Sequence, residues 1–271
     1  MRVALAGCRE VDDPDEPVLI DALARAGVEA VGAAWDEDVN WSSYDLVVVR
    51  STWDYVGRRA EFLAWADAVP RLANPAAVLR WNTDKRYLER LAAAGLPVVP
   101  TTYVTSGFEP PAGEYVVKPT VSAAAMDTAK YGPGEEAPAR AHVQRLLDDE
   151  REVMVQPYLA SVETVRETSL LYVGGAYSHG AQKGRVLTGV GALSPNDWDL
   201  APREPSPAER EVADAVLAAV SEPLLYARVD LLAGPDGPLL LELELTEPFL
   251  FLSFAEGAAD RFAGAIRDWQ P

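Results

Sequence analysis

The chain has 271 residues, 49% of them hydrophobic and 24% charged, with a formal net charge of −18. This composition indicates a folded globular protein, and the negative charge disfavours a nucleic acid or an anionic membrane surface as partner. The single cysteine, Cys8, excludes a disulfide framework and a cysteine-rich zinc site, and no apolar run approaches the ~20 residues of a membrane helix, so we expect a soluble cytoplasmic protein.

The first 80 residues alternate short apolar segments with segments of helical periodicity. This pattern predicts strands at 2–6, 28–32 and 46–49, with helices at 17–26 and 61–68. Continuous apolar strands separated by helices are typical of a parallel sheet that is covered on both faces. We therefore predict an α/β N-terminal domain over residues 1–80.

After residue 80 the predicted strands become longer and pair with their neighbours along the chain. Asn82 is predicted to cap a helix over 83–94, which puts Lys85 on the first helical turn. Further strands are predicted at 114–117, 153–156, 167–173, 176–186, 225–232 and 238–245, with helices at about 207–220 and 257–269. Because locally paired strands are antiparallel, residues 81–271 are predicted to form an α+β domain.

Two acidic residues, Glu242 and Glu244, interrupt an apolar strand near the C-terminus. Strand alternation puts both side chains on one face, and Asp230 on the preceding strand can face the same site. Neighbouring carboxylates repel each other unless a cation lies between them, and three oxygen ligands favour a hard cation such as Mg²⁺. The alternative is an amphipathic edge strand whose glutamates face water.

A second set of residues is suited to binding phosphate. Lys118 follows the apolar strand at 114–117 and can present a point charge to a phosphate group. The small-residue loop that contains Ser122 can cover a phosphate chain with backbone N–H groups, and Lys85 adds charge at a helix N-terminus. Each feature alone is also typical of a solvated lysine or an ordinary loop.

A strand that breaks into a loop at Gln156 is suited to binding a nucleoside. Tyr158 and Leu159 follow in this loop, and Glu163 comes shortly after them. Exposed backbone groups there can recognise an adenine edge, and a carboxylate can hold ribose hydroxyls. This pattern is not specific by itself.

Taken in order, these features resemble the ATP-grasp superfamily. The segment 242–248 is similar to the E-x-N-x-x-x-P metal-binding stretch of bacterial glutathione synthetases, with Glu244 in place of asparagine. The strings at 50–55 and 81–85 are similar to the branch that includes the O-ureido-D-serine cyclo-ligases of D-cycloserine biosynthesis. The resemblance covers nearly the whole chain.

The resemblance implies an ATP-grasp domain over 81–271, with a nucleotide-clamping subdomain at about 113–158 and a catalytic, metal-binding subdomain at about 159–271. It implies an ATP- and Mg²⁺-dependent carboxylate–amine ligase, acting through an acyl phosphate on an amino-acid-like small molecule to form an amide, a peptide or a ring. Natural-product or antibiotic biosynthesis is the expected setting, and a homo-oligomer is consistent with related enzymes. The alternatives are a small-molecule kinase and a degenerate ATP-grasp module that only binds nucleotide.

The resemblance also implies roles for individual residues. The expected nucleotide-binding residues are Lys85, Lys118, Ser122, Gln156, Tyr158, Leu159 and Glu163. The expected metal ligands are Asp230, Glu242 and Glu244. The expected cations at the transferred phosphate are Lys183 or Arg185, with Arg228 as a second candidate.

Substrate binding is expected where the third predicted strand ends. Arg50, Ser51, Thr52 and Asp54 lie at the carboxyl end of this strand, where open α/β sheets bind ligands, and we favour substrate recognition there over a structural ion pair. Glu247 is expected near the metal ligands, as a further ligand or as a binding group for a substrate amine.

The chain departs from the superfamily pattern in two loops. The phosphate-covering loop at 122–126 has no glycine, which predicts a stiffer backbone than usual. Arg166 stands where the resemblance predicts glycine.

Overall fold

The computed structural model describes residues 1–9, 13–184 and 199–270, and the strands in this part of the chain form three sheets. The strands are β1 (Arg2–Gly7), β2 (Glu29–Ala34), β3 (Leu46–Ser51), β4 (Leu72–Ala73), β5 (Thr102–Val104), β6 (Tyr115–Pro119), β7 (Ala129–Tyr131), β8 (Val153–Pro157), β9 (Glu167–Val173), β10 (Ala176–Lys183), β11 (Leu200–Pro202), β12 (Tyr226–Gly234) and β13 (Gly237–Glu244). The helices are α1 (Glu16–Arg25), α2 (Arg59–Ala68), α3 (Ala76–Asn82), α4 (Tyr87–Ala93), α5 (Glu136–Asp148), α6 (Ser161–Thr164), α7 (Pro207–Ala218) and α8 (Ala258–Asp268).

The first sheet has the order β2-β1-β3-β4, and all of its strands are parallel. The strand β3 is buried along its whole length, as the continuous apolar pattern predicts. The short strand β4 carries only two residues and was not predicted, because two residues are too few to show a periodicity. The α/β fold predicted for the N-terminal region is confirmed.

The second sheet has the order β5-β8-β6-β7 and is antiparallel. Its core includes Tyr115, Val117 and Val155, which pack against Leu146 of α5. The strand β5 begins at Thr102, so this sheet draws on residues before the expected subdomain start at about 113.

The third sheet has the order β11-β10-β9-β12-β13, with antiparallel pairing throughout. Gly174 and Gly175 join β9 to β10 with φ values of 57° and 78°, the left-handed pair that a tight hairpin needs. Ser206 caps α7 and forms the predicted capping box with Glu209. This sheet carries the candidate active site.

The helix predicted over 83–94 is wrong in its first turn. Asn82 is instead the last residue of α3, and α4 begins at Tyr87, so Lys85 lies in the turn between two short helices. The reason is long-range: the Asn82 side chain binds the backbone of β13 rather than the amides of a following helix, donating to the Leu243 carbonyl at 2.7 Å. Sequence spacing alone cannot reveal that partner.

The N-terminal sheet and the third sheet share one hydrophobic core. Leu5 and Leu19 pack with Leu171, Tyr226 and Phe262, all of them fully or almost fully buried. This shared core brings the carboxyl end of β3 close to the segment that follows β13. Among the helices of the described residues, none combines the length and apolar character needed to span a membrane.

Candidate active site

The acidic residues of β12 and β13 lie in register on one face of the third sheet. Asp230 lies opposite Glu242, and Arg228 lies opposite Glu244. The Arg228 guanidinium donates to Asp230 at 2.9 Å and also binds Glu244, so it bridges the two carboxylates. The predicted alternation is therefore observed, and the glutamates face cations rather than only water.

A second cation reaches this acidic face from β10. Lys183 Nζ lies 2.8 Å from Asp230 Oδ2 and also pairs with Glu167 at the start of β9. These two carboxylates raise the pKa of Lys183 although burial and the nearby Arg228 lower it. The other predicted cation of this strand, Arg185, lies outside the described residues.

Lys85 enters the same cluster from the turn between α3 and α4. Its Nζ lies 3.0 Å from Glu242 Oε1 and donates to the Ser122 carbonyl at 2.7 Å. The Lys85 amide also donates to the Thr120 carbonyl at 2.9 Å, which fixes this turn to the small-residue loop. Lys85, Ser122 and Glu242 thus connect the second and third sheets.

Lys118 is buried at the end of β6, with 7% of its surface exposed. No carboxylate in the described part of the chain lies within ion-pair distance of its Nζ. Burial therefore lowers the pKa of Lys118, although the charge of Glu242 partly offsets this effect. A buried ammonium group without an ion-pair partner is suited to an anionic ligand.

The pKa values of the carboxyl groups in this cluster are shifted in different directions. Burial, together with Asp230 and Glu242, raises the pKa of Glu244, whereas Lys85 and Lys118 hold the pKa of Glu242 below its usual value against burial. Burial raises the pKa of Glu247 to about 8, and the charge of Glu244 adds to this shift. Because burial is the largest cause of both raised pKa values, Glu244 and Glu247 favour their neutral form in the absence of a further cation.

The predicted nucleotide hinge lies at the end of β8. Gln156 is buried, and its Nε2 donates to Thr101 Oγ1 at 2.9 Å. The Tyr158 amide donates to the Glu114 carbonyl at 2.9 Å, and its hydroxyl donates to Glu163 at 2.7 Å. Leu159 follows in the same loop and is half-buried.

The two loops that lack an expected glycine adopt the conformation that favours glycine. Ala124, Ala125 and Asp127 have φ values of 49°, 56° and 54°, and Arg166 has a φ of 68°. A non-glycine residue in this left-handed region is strained by roughly 1 kcal/mol. These loops therefore carry local backbone strain, and the stiffness of the loop at 122–126 stays a prediction.

The residues expected to bind substrate at the end of β3 mostly have protein partners. Arg50 is almost fully buried and forms a structural ion pair, at 3.1 Å, with Asp13 rather than with Asp54. Asp54 accepts a hydrogen bond from Trp35 at 2.8 Å and pairs with Arg58.

Ser51 and Thr52, the two residues that follow Arg50, are also buried. Ser51 lies so close to Gly7 that a Cβ atom at Gly7 would meet the Ser51 Oγ at 2.7 Å. Thr52 is fully buried, and its hydroxyl has no hydrogen-bond partner among the described residues.

Sequence reasoning missed two asparagines that fix the end of β13. Asn74 donates to the carbonyls of Tyr226 and Leu245 at 2.9 and 2.8 Å, and Asn82 accepts from the Leu245 amide at 2.8 Å. Both asparagines are buried and far from β13 in sequence. No local sequence pattern indicated these partners; in the structure Asn74 has a left-handed φ of 57°, which asparagine tolerates better than most residues.

The predicted metal ligands can be tested for fit as a set. Asp230, Glu242 and Glu244 offer only oxygen donors, which suit a hard cation such as Mg²⁺. Within residues 1–9, 13–184 and 199–270, no three acidic, histidine or cysteine side chains are near enough to one another to enclose a metal by themselves. Among these residues only the oxygen-donor chemistry therefore fits Mg²⁺, which would need further ligands such as the oxygens of a bound phosphate.

Comparison with known proteins identifies the family. Residues 3–74 match the family model described as the N-terminal domain of D-cycloserine synthetase DcsG. The chain is 40% identical, over 280 aligned positions, to the cycloserine biosynthesis protein DcsG of Streptomyces lavendulae, with 94% of each chain covered. The chain belongs to the D-cycloserine synthetase family of ATP-grasp ligases. Its resemblance to that branch, predicted from the sequence, is confirmed.

Solved structures agree with this family. A crystal structure of D-cycloserine synthetase DcsG matches with a TM-score of 0.90 and 38% identity, covering 98% of each chain. An ATP-grasp RimK domain protein from Sphaerobacter thermophilus matches with a TM-score of 0.71 at 20% identity, covering 99% of this chain and 98% of that one. D-alanine–D-alanine ligase from Bacillus anthracis matches with a TM-score of 0.70 at 14% identity, covering 98% of this chain and 95% of that one.

The last two matches show a shared fold, and the D-cycloserine synthetase family shows the class of enzyme. This member of the family is an ATP-dependent ligase of natural-product biosynthesis that forms carbon–nitrogen bonds. The predicted fold class, an N-terminal parallel sheet followed by antiparallel ATP-grasp sheets, is confirmed.

Proposed function

We propose that this enzyme activates a substrate carboxylate with ATP as an acyl phosphate and closes a ring by attack of a nitrogen in the same molecule. The observation that carries the proposal is the convergence of Lys85 and Lys118, from different parts of the chain, near Glu242 of β13. Two cations beside a set of carboxylates suit the phosphates of a metal-bound nucleotide. The adenosine would lie against the loop from Gln156 to Glu163, with Ser122 beside the phosphates.

The carboxylates Asp230, Glu242 and Glu244 would hold Mg²⁺ together with phosphate oxygens. When bound, the metal supplies positive charge that stabilises the phosphate oxygens during transfer. Lys85 and Lys183, which pair with Glu242 and Asp230 in the structure, would bind phosphate oxygens of the nucleotide.

The transfer step needs charge stabilisation more than covalent help from the protein. A carboxylate oxygen of the substrate would attack the γ-phosphorus, and the bond to the β-phosphate oxygen would break to release ADP. Lys183 and Arg228 face this position from β10 and β12, and we propose that they neutralise the transferred phosphate. Arg185 remains a candidate for the same task outside the described residues.

Ring closure would follow on the same substrate. The nitrogen attacks the acyl carbon, phosphate leaves with the former carboxylate oxygen, and the nitrogen loses its proton. The named activity of the relatives, D-cycloserine synthesis, favours O-ureido-D-serine as substrate. In that molecule the ring would contain the carboxyl carbon, Cα, Cβ, the side-chain oxygen and the nitrogen bonded to that oxygen, which makes five atoms. After ring closure this nitrogen still carries the carbamoyl group, so hydrolysis of that group, which consumes one water and releases ammonia and carbon dioxide, would complete the synthesis of D-cycloserine.

The test is ADP release with Mg-ATP in separate reactions that contain O-ureido-D-serine, pooled amino acids, or no second substrate. The proposal predicts release with O-ureido-D-serine and a product mass that corresponds to a ring. Release only with the amino-acid pool would instead indicate an intermolecular ligase. A phosphorylated product would indicate a kinase, and bound ATP without any ADP release would contradict ligation.

A further inference from the structure

Glu247 lies between the N-terminal domain and the acidic cluster, three residues beyond the end of β13. The Trp53 Nε1 donates to its backbone carbonyl at 3.0 Å, and interaction with the Tyr55 hydroxyl lowers the pKa of its carboxyl group against the effect of burial. Two residues of one short segment after β3 therefore fix both the main chain and the side chain of Glu247. A carboxyl group that is held in this way is suited to orienting a ligand.

The partner that holds the carboxyl group is itself rigid. Tyr55 is 3% exposed and stacks on Phe62 with 5.0 Å between ring centroids and 24° between ring planes. Phe62 is fully buried in the core beside the first sheet. The tyrosine ring is therefore held in place beside the Glu247 carboxyl group.

Within the described residues, Glu247 has no ion-pair partner. The three predicted metal ligands each have an ion pair with a lysine or arginine. The charges of Glu244 and Glu242 also raise the pKa of Glu247, whereas Lys85, which lowers it, is paired with Glu242. A cationic ligand group is the chemical complement of this position.

We propose that Glu247, held by Tyr55, binds the α-ammonium group of the amino-acid substrate and so selects an amino acid over its des-amino analogue. This inference rests on the proposed function, because it assumes that the substrate carboxylate reacts beside Asp230, Glu242 and Glu244. The α-ammonium nitrogen is two bonds from the carboxyl carbon, so it must lie next to the reacting centre. Glu247 is the acid at that edge of the cluster without an ion-pair partner in the described part of the chain.

The test compares the wild-type enzyme with Glu247→Gln, Tyr55→Phe and the exposed control Glu256→Gln. Each variant is assayed with O-ureido-D-serine and with 3-(ureidooxy)propanoic acid, which lacks the α-amino group. Glu247→Gln should lower kcat/KM for the amino substrate by roughly 30- to 1000-fold, the cost of losing a buried charge pair, with an unchanged KM for ATP. In Glu247→Gln the ratio of kcat/KM for the amino substrate to kcat/KM for its des-amino analogue should also fall. Tyr55→Phe should lower kcat/KM for the amino substrate by a smaller factor. Glu256→Gln should behave as wild type with both substrates.

Three results would overturn the inference. A preserved preference for the amino substrate in Glu247→Gln would contradict ammonium binding, and so would an equal loss with both substrates. Glu247→Gln could instead need a higher Mg²⁺ concentration for half-maximal activity and keep its preference for the amino substrate. That result would indicate that Glu247 is a metal ligand.

A binding measurement separates this inference from the proposed function. Melting temperatures are measured with a non-hydrolysable ATP analogue, with and without D-serine or 3-hydroxypropanoic acid. D-serine should raise the melting temperature of wild type but not that of Glu247→Gln, provided that the variant is folded. This result would support the inference even if no substrate turns over. Equal stabilisation of both proteins, or none of wild type, contradicts it.

Discussion

Asp230 and Glu242 lie opposite each other on β12 and β13, and each carboxylate is paired with a different lysine. Asp230 pairs with Lys183 at 2.8 Å, and Glu242 pairs with Lys85 at 3.0 Å. These two acids are therefore paired with cations of the protein itself when no ligand is bound. Binding of a metal-bound nucleotide would replace these internal pairs with pairs to the metal and to the phosphates.

The first prediction concerns Asp230→Asn. Asp230 is buried and holds both Lys183 and Arg228, so the substitution leaves two buried cations with fewer partners. We expect a loss of about 3 kcal/mol in the free energy of unfolding, measured by urea denaturation, and a higher Mg²⁺ requirement for activity. The double variant Asp230→Asn/Lys183→Met should recover part of the stability without the activity. An unchanged urea midpoint and Mg²⁺ titration for Asp230→Asn would contradict the assignment.

The second prediction concerns Lys118→Met, which removes a buried ammonium group and keeps most of its apolar volume. Because burial disfavours the charged form of Lys118 and no ion pair offsets this in the described residues, the variant should be more stable by about 1 kcal/mol. Its melting temperature should rise by roughly 2–4 °C, while kcat falls by roughly 10²–10³.

The matched stability control for this variant is Lys130→Met in the same sheet. Lys130 is paired with Glu114 at 2.7 Å, so its removal should not stabilise the protein. Near-wild-type turnover of Lys118→Met at saturating ATP would remove Lys118 from the phosphate site.

The third prediction concerns Asn82→Ala. The variant loses the hydrogen bonds to the Leu243 carbonyl and the Leu245 amide, which leaves buried backbone groups unpaired. We expect a loss of about 3 kcal/mol in the free energy of unfolding and faster hydrogen exchange at the Leu245 amide. The exposed Asn40→Ala serves as the control. If Leu245 exchanges at the wild-type rate, Asn82 does not fix the end of β13.

The acidic face of β13 was predictable from the sequence because it depends on a local rule. Alternation along the strand puts Glu242 and Glu244 on one face, and the apolar residue between them, Leu243, is buried on the other. The order of Lys85, Lys118 and the acids along the chain was enough to indicate the superfamily. Strand alternation and motif order thus gave the fold class and the residues of the candidate site.

The contacts that hold the site together could not be predicted in the same way. Asn82 binds Leu245, which is 163 residues away, and Arg50 pairs with Asp13 across the end of the first sheet. Such partners depend on how separate units pack, and no local pattern encodes them. The misplaced first turn of α4 has the same origin, because Asn82 has typical capping chemistry but a distant partner.

The fourth prediction concerns the pH dependence of stability through Asp15. Burial raises the pKa of Asp15 to about 6, and Asp13 adds to the shift, against the opposing effect of Arg50. A carboxyl group with a raised pKa in the folded state stabilises the fold most at low pH, and this contribution is lost as the pH rises through about 6. The stability of wild type relative to Asp15→Asn should therefore fall by about 1 kcal/mol from pH 5 to pH 7.

The control for this pH effect is Asp21→Asn, which replaces an exposed carboxylate on the same helix, α1. Its stability relative to wild type should change little over the same range. A difference between wild type and Asp15→Asn that is constant with pH would mean that Asp15 does not titrate in this range.

The most direct test of the account follows one oxygen atom through the reaction. O-ureido-D-serine labelled with ¹⁸O in its carboxylate is incubated with Mg-ATP, and the released phosphate is analysed by mass spectrometry. Activation as an acyl phosphate predicts one ¹⁸O atom in each phosphate, because the attacking oxygen leaves with the phosphorus. Unlabelled phosphate accompanied by ring closure would show that the carboxylate does not attack the γ-phosphorus, and would contradict the account.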